Sequence, residues 1–165
     1  MGLAMKTLLV LRHAAAGWHQ AGLGDHDRPL TEQGEREAPA IGQLVGELGL
    51  RPDLILSSTA VRARLTTELV SARCGYEGEV AWVRSLYLGQ AEAYVEALAG
   101  WGNGYERVMV VGHNPGLQTL VAGLTGQMAM LGTAGLARVD LAVSTWSRVR
   151  LNGRGQLAGF WGPEA

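Results

Sequence analysis

The chain has 165 residues, 47% of them apolar and 18% charged, with a formal net charge of −1 at pH 7. Length and composition fit one soluble globular domain that buries about 70% of the surface of its unfolded chain. The near-zero charge gives no reason to expect nucleic acid or an anionic membrane as a general partner, so any phosphate site must be a local gathering of positive charge.

Cys74 is the only cysteine, which rules out an internal disulfide and fits a reducing compartment. Lys6 is followed by only a short apolar run before Arg12, too short for a signal-peptide core, and no stretch reaches membrane-spanning length. Lys6 also stands where a myristoylation signal needs Ser or Thr. The cytoplasm is the default location. Met5 can serve as the natural start, which makes residues 1–4 an extension or cloning remnant and 5–163 the domain.

Leu8-Leu9-Val10-Leu11 reads as a short buried strand that delivers Arg12 and His13 at its carboxyl end. Ala14 to Pro29 shows no sustained period and reads as a loop carrying Trp18, His19, Asp25, His26, Asp27 and Arg28. Pro29-Leu30-Thr31 starts a helix with Ile41, Leu44, Val45 and Leu48 on one stripe. Pro39 predicts a kink or a late start, and Gly49 and Pro52 end it. Asp53 to Ser57 is the second strand, and Ser58 or Thr59 is placed to cap the next helix. That helix should bury Val61, Leu65, Leu69 and Ala72 and stop at Gly75.

Val80 to Val83 is a weak third strand, and Glu92 to Leu98 a short helix with Tyr94, Val95 and Leu98 inward. Arg107 to Gly112 is a further apolar strand, followed by His113, with Asn114 as N-cap and Pro115 at the first position of a helix running to about Gly123. Val139, Leu141 and Val143 alternate with Arg138, Asp140 and Ala142, a half-buried strand. Thr145 to Leu151 and Gln156 to Trp161 flank the turn signal Asn152-Gly153-Arg154-Gly155 and predict a hairpin. Alternating strands and helices predict a single three-layer α/β domain, its sheet mostly parallel, helices on both faces and an antiparallel edge at the C-terminal hairpin.

Three strand ends in this scheme carry chemistry. Arg12 and His13 follow the first strand, Arg62 lies in the first turn of the helix after the second, and His113 follows the strand 107–112. If those strands are neighbours, two guanidiniums and two imidazoles meet beside two helix N-termini, a setting suited to a phosphoryl group. Arg offers a planar fork of donors, and His can attack phosphorus or give a proton.

The chain resembles the histidine phosphatase superfamily in Leu11-Arg12-His13-Ala14, Asp27-Arg28-Pro29-Leu30-Thr31 with Gly34, Ser57-Ser58 with Arg62-Ala63 and Thr66, and Gly112-His113-Asn114-Pro115-Gly116. It is most similar to the short bacterial phosphohistidine phosphatases of the SixA type. The resemblance implies a phosphoglycerate-mutase-like fold without a lid domain, and metal-independent hydrolysis with no cofactor. His13 would be the nucleophile, Arg12 and Arg62 the phosphoryl clamp, and His113 a donor to the phosphoryl oxygens. Ser58 and Asn114 are candidate substrate contacts, and the pocket should take free phosphate or sulfate.

Larger members place an acid near Leu86, where this chain has Tyr87-Leu88-Gly89, with Glu92 the nearest acid. A phosphoramidate needs a proton donor less than an alkoxide does, and 79–107 is too short for a lid. Both points favour phosphohistidine on a signalling or phosphotransfer protein. Asp25, Asp27 and Glu92 stay open as acids, and two rivals stay open as functions: a phosphatase for a small monoester, and a non-catalytic phosphate- or phosphoprotein-binding module.

The structural alternatives are specific. His13 and His113 could be core histidines bonded to backbone, and Arg12 and Arg62 could pair with Asp27 or Asp53. Ser58, Thr66 and Asn114 read first as caps or packing residues, Arg64 as a solvated helix face, and His19 and His26 as solvated loop residues. Trp18, Trp101, Trp146 and Trp161 suit core or rim packing, and Cys74 has no resolving partner. No histidine pair has helical metal-ligand spacing.

Overall fold

Leu8 and Val10 pack into one buried cluster and Leu9 and Leu11 into another, so the first apolar run is a strand covered on both faces. The same split holds for Leu54 and Leu56 against Ile55, and for Val108 and Val110 against Met109 and Val111. These runs are β1 (Lys6–Arg12), β2 (Leu54–Ser57) and, after β3 (Val80–Trp82), β4 (Arg107–Gly112). The structure is a computed structural model that describes residues 4–18 and 22–163. His19 therefore lies outside the described residues.

β5 (Leu136–Leu141) and β6 (Gln156–Trp161) complete a six-stranded sheet of order β3-β2-β4-β1-β5-β6. The pairs β3–β2, β2–β4 and β4–β1 are parallel, and β1–β5 and β5–β6 are antiparallel. Helices α1 (Glu32–Glu47) and α2 (Val61–Cys74) cover one face through Ile41, Val45, Ala63 and Val70. Helices α3 (Ala91–Trp101) and α4 (Gly116–Thr125) cover the other through Tyr94, Leu98, Leu117, Leu120 and Leu124. The expected three-layer α/β arrangement, mostly parallel with an antiparallel edge, is what the chain forms. Among the described residues no helix is long and apolar enough to cross a membrane.

Several local expectations need correction. Helix α1 starts at Glu32, with the Thr31 hydroxyl accepting from Gly34 N, and continues through Pro39; its last stripe residue, Leu48, is exposed. The buried side of α2 is not Val61, Leu65, Leu69 and Ala72. It is Arg62, Ala63, Thr66, Thr67, Val70 and Cys74, because the polar members are satisfied inside. Thr67 donates to the Ser57 hydroxyl at 3.1 Å, and Thr66 is held by backbone on both sides. Leu65 and Leu69 are only partly buried. Neither Ser58 nor Thr59 is the N-cap of α2; that position is Ala60.

Asn114 does not cap α4. Pro115 holds the cap position, the Asn114–Pro115 peptide is cis, and the helix runs past Gly123 to Thr125, closed by Gly126 at φ 74°. The C-terminal hairpin is also different. Thr145–Leu151 is not a strand, and β6 pairs with β5 instead. Trp146 explains this: its ring is buried and its Nε1 donates to Tyr105 O at 2.8 Å, which pins the intervening loop to the α3 side.

Candidate active site

β1 and β4 run side by side in register, Arg12 opposite Gly112, and His13 N donates to Gly112 O at 3.1 Å. The residues just beyond those positions are the two histidines, which brings their ring centroids to 5.1 Å. Gly112 is required here because a Cβ would run into the Tyr94 hydroxyl, which itself accepts from His113 N at 3.2 Å. β2 lies on the far side of β4, and α2, which follows it, carries Arg62 in its first turn. Arg12, His13, Arg62 and His113 thus line one cleft of about 390 Å³ with Asp25, Arg28 and Asn114.

His13 is 9% exposed, and its Nδ1 lies 2.7 Å from Ala14 O. A ring nitrogen facing a carbonyl must carry the proton, so the unshared pair of the neutral ring is on Nε2. Burial, then the charges of Arg62, Arg12 and Arg28, lower its pKa to about 4 against the pull of Ala14 O, so the ring is neutral at pH 7. Burial lowers the His113 pKa to about 3, with His13 and Arg62 acting the same way.

Ser58 is not a cap but the partner of His113, its Oγ 2.8 Å from Nε2. Ser58 is fully buried and its Oγ meets only Ala60 N, a donor, and His113 Nε2, so we assign the hydroxyl proton to the bond with Nε2. That assignment leaves His113 Nδ1–H as a buried donor with no protein partner. Such a donor costs about 1–3 kcal/mol unless an acceptor enters the cleft. The Nε atoms of Arg12 and Arg62 are in the same condition. These three donors, with the orphaned Asn114 Oδ1 as an acceptor beside them, suit the cleft to an anion that can also carry a proton.

Supporting contacts fix the cup. Arg12 Nη1 donates to Leu131 O at 3.0 Å, and Asn114 Nδ2 to the same carbonyl at 2.8 Å. Burial lowers the Arg12 pKa, opposed by Glu37. Thr66 Oγ1 accepts from Ala14 N at 2.9 Å and donates to Arg62 O at 2.7 Å, tying the two arginine-bearing segments together. Arg62 meets Asp25 twice, Nη1 on its carbonyl at 2.7 Å and Nη2 on Oδ2 at 3.1 Å. Arg28 Nε donates to Asp25 Oδ1 at 3.0 Å and Tyr87 Oη to Oδ2 at 2.6 Å. The Tyr87 hydrogen bond leads in lowering the Asp25 pKa to about 2, with Arg62 and Arg28 adding to it against desolvation.

The sequence model of the histidine phosphatase superfamily (branch 1) matches residues 8–82. A chloroplastic protein of Arabidopsis thaliana, itself uncharacterized, is 31% identical over 172 residues, spanning 97% of this chain and 79% of that one. The chain belongs to the histidine phosphatase superfamily. A structure from Agrobacterium tumefaciens, assigned as the phosphohistidine phosphatase SixA, superposes with a TM-score of 0.82 at 32% identity and covers 96% of this chain and 98% of its own. One from Nakamurella, with the same assignment, gives 0.84 at 28% identity over 98% of each chain. The likeness extends over both histidine-bearing strands, and the fold is the phosphoglycerate-mutase-like one.

In this histidine phosphatase the candidate acids separate. Asp25 lines the cleft, Asp27 is exposed beside His26, and Glu92 lies in the first turn of α3 against Val149, Arg150 and Leu151, away from the cleft. Arg62 pairs with Asp25 and not with Asp27 or Asp53, whose carboxylate accepts from Arg107 N. Sequence reasoning missed Tyr87 as a wall of the site, where its ring meets His113 and His26. It also missed Arg28 as a clamp on Asp25, and Glu37, which accepts from Ala15 N and from the Thr133 hydroxyl. Tyr87 was visible as the residue standing where relatives carry an acid; Glu37 gave no local signal at all. His26 is engaged too, its Nε2 2.9 Å from Thr59 Oγ1.

Proposed function

We propose that this histidine phosphatase hydrolyses phosphohistidine on a signalling or phosphotransfer protein, through a phosphoryl group carried briefly by His13. The observation that carries the reading is the company kept by Asp25, the one carboxyl group among the described lining residues of the cleft. Its carboxylate accepts from Arg28, Arg62 and Tyr87, which hold it ionised, so it has no proton to give at neutral pH. An alkoxide leaving group needs such a donor. A phosphoimidazole whose second nitrogen is protonated does not, because it departs as a neutral ring.

In the first step His13 Nε2 forms a bond to phosphorus while the substrate's P–N bond breaks. Arg12, Arg62 and His113 Nδ1–H stabilise charge on the three equatorial oxygens. In the second step water attacks phosphorus, the bond to Nε2 breaks, and phosphate leaves as H2PO4⁻ with both water protons. His13 returns to its neutral form.

The mouth of the cleft also suits a macromolecular substrate. Trp18 and Leu88 stand on its rim 78% and 68% exposed, and no described segment covers them. Relatives of similar size assigned as phosphohistidine phosphatases support the same reading. Hydrolysis of a phosphohistidine protein, sugar phosphates and nucleotides under equal conditions tests it. A kcat/KM at least 10²-fold higher for the phosphohistidine protein is expected, and clear preference for an ester would overturn the substrate assignment.

A further inference from the structure

We propose that Asp25 is a built-in counter-ion that competes with free phosphate for Arg62, and thereby sets how weakly the emptied site holds its product. The proposal rests on the cleft being a phosphoryl cup. Arg62 is 3% exposed, yet both of its terminal nitrogens are already engaged, one by the Asp25 carbonyl and one by the Asp25 carboxylate. Only the Nη2 contact is with charge, but the two together occupy the end of the guanidinium that would otherwise face an anion. The Nε edge of the same guanidinium has no partner and remains for the phosphoryl oxygens.

Asp25 is placed for this with more care than a surface ion pair receives. Its carboxylate takes donors from Arg28, three residues on in its own turn, and from two distant segments, Arg62 of α2 and Tyr87 of the turn after β3. Its side chain is 49% exposed while that of Arg62 is 4% exposed, so the carboxylate lies on the solvent side of the guanidinium, where an anion enters or leaves.

The product is an anion of the kind the cup grips best. Arg12, Arg28 and Arg62 surround it, and both imidazoles are neutral, so without a counter-charge product release would be slow. A fixed carboxylate beside Arg62 repels a phosphate a few ångströms away and shares its donors. At an intermediate effective dielectric this is worth about tenfold in affinity. The repulsion falls on any phosphoryl anion in the cup, and a macromolecular substrate can offset it at the exposed rim residues Trp18 and Leu88, which free phosphate is too small to reach.

Calorimetric titration with inorganic phosphate at constant ionic strength and pH 7.5 tests this on the full chain. Asp25→Asn, and Asp25→Ser as a second neutral variant should the first not fold, are expected to bind phosphate about tenfold tighter than the parent. The phosphate inhibition constant in turnover should fall by the same factor. Asp27→Asn, which removes an exposed charge two residues away, should stay within about twofold. Unchanged or weaker binding in the Asp25 variants overturns the proposal and makes Asp25 a strut. Equal tightening in Asp27→Asn overturns it in favour of bulk charge. Loss of the cup reading looks different: the parent then binds no phosphate, or binds it independently of Arg62→Ala.

Discussion

At His13, desolvation is the larger influence and the three nearby guanidiniums add to it, so the imidazolium is disfavoured from every side and the pKa falls to about 4. A nucleophilic imidazole must be unprotonated, and kcat/KM reports the free enzyme. The acid limb of its pH profile is therefore expected near pH 4, with activity still high at pH 5.5; a limb near 6.5 would place the working histidine in water. Arg12→Ala and Arg62→Ala should each lower kcat by about 10²–10³, the usual cost of losing a preorganised donor. Ser58→Ala removes the hydrogen bond that fixes His113, and a roughly tenfold loss in kcat with little change in KM is expected. The strand-end positions of Arg12, His13 and His113 and the helix-start position of Arg62 were legible because local pattern alone sets them. The pairing of Arg62 with Asp25 was not, since it joins residues 37 apart and depends on how one loop folds over α2.

β1 and β4 act as a matched pair of launching points, and Gly112 is the residue that lets Tyr94 pack between the sheet and α3. Gly112→Ala should destabilise the fold by about 1–3 kcal/mol, as overpacking does, and lower kcat because His113 N bonds to the displaced hydroxyl. Thermal melting and turnover of the same preparation check both halves. The strands were readable from their apolar runs, whereas the buried side of α2 was misread because Arg62, Thr66 and Thr67 go inside. Polar burial of that kind follows from partners contributed by β1 and β2, which a helical period does not encode. The failed hairpin has a similar origin. A sound turn signal at Asn152–Gly155 was overridden by Trp146, whose anchoring to Tyr105 is a contact across 41 residues.

Across the whole molecule, the sheet order β2-β4-β1 brings chemistry from three distant parts of the chain to one rim, where the packing of the layers buries the two histidines. Their burial has a thermodynamic signature. His13 and His113 have folded pKa values of about 4 and about 3, below the ordinary 6.5, so the unfolded chain binds more protons between those limits. Stability from this source is complete above pH 6.5 and is lost as pH falls toward 3–4, by about 1.4 kcal/mol per unit for each group. Denaturant midpoints should drop over that window, and the drop should shrink in His13→Gln. The single α/β domain was legible from the alternation of strands and helices; the fourteen-residue connection between β5 and β6 was not. The most direct test of the account is rapid quenching during turnover of a phosphohistidine protein labelled on phosphorus, followed by peptide mapping. It predicts an acid-labile, base-stable label on His13 that is absent from His13→Ala. A label on His113, or turnover that persists in His13→Ala, would contradict it.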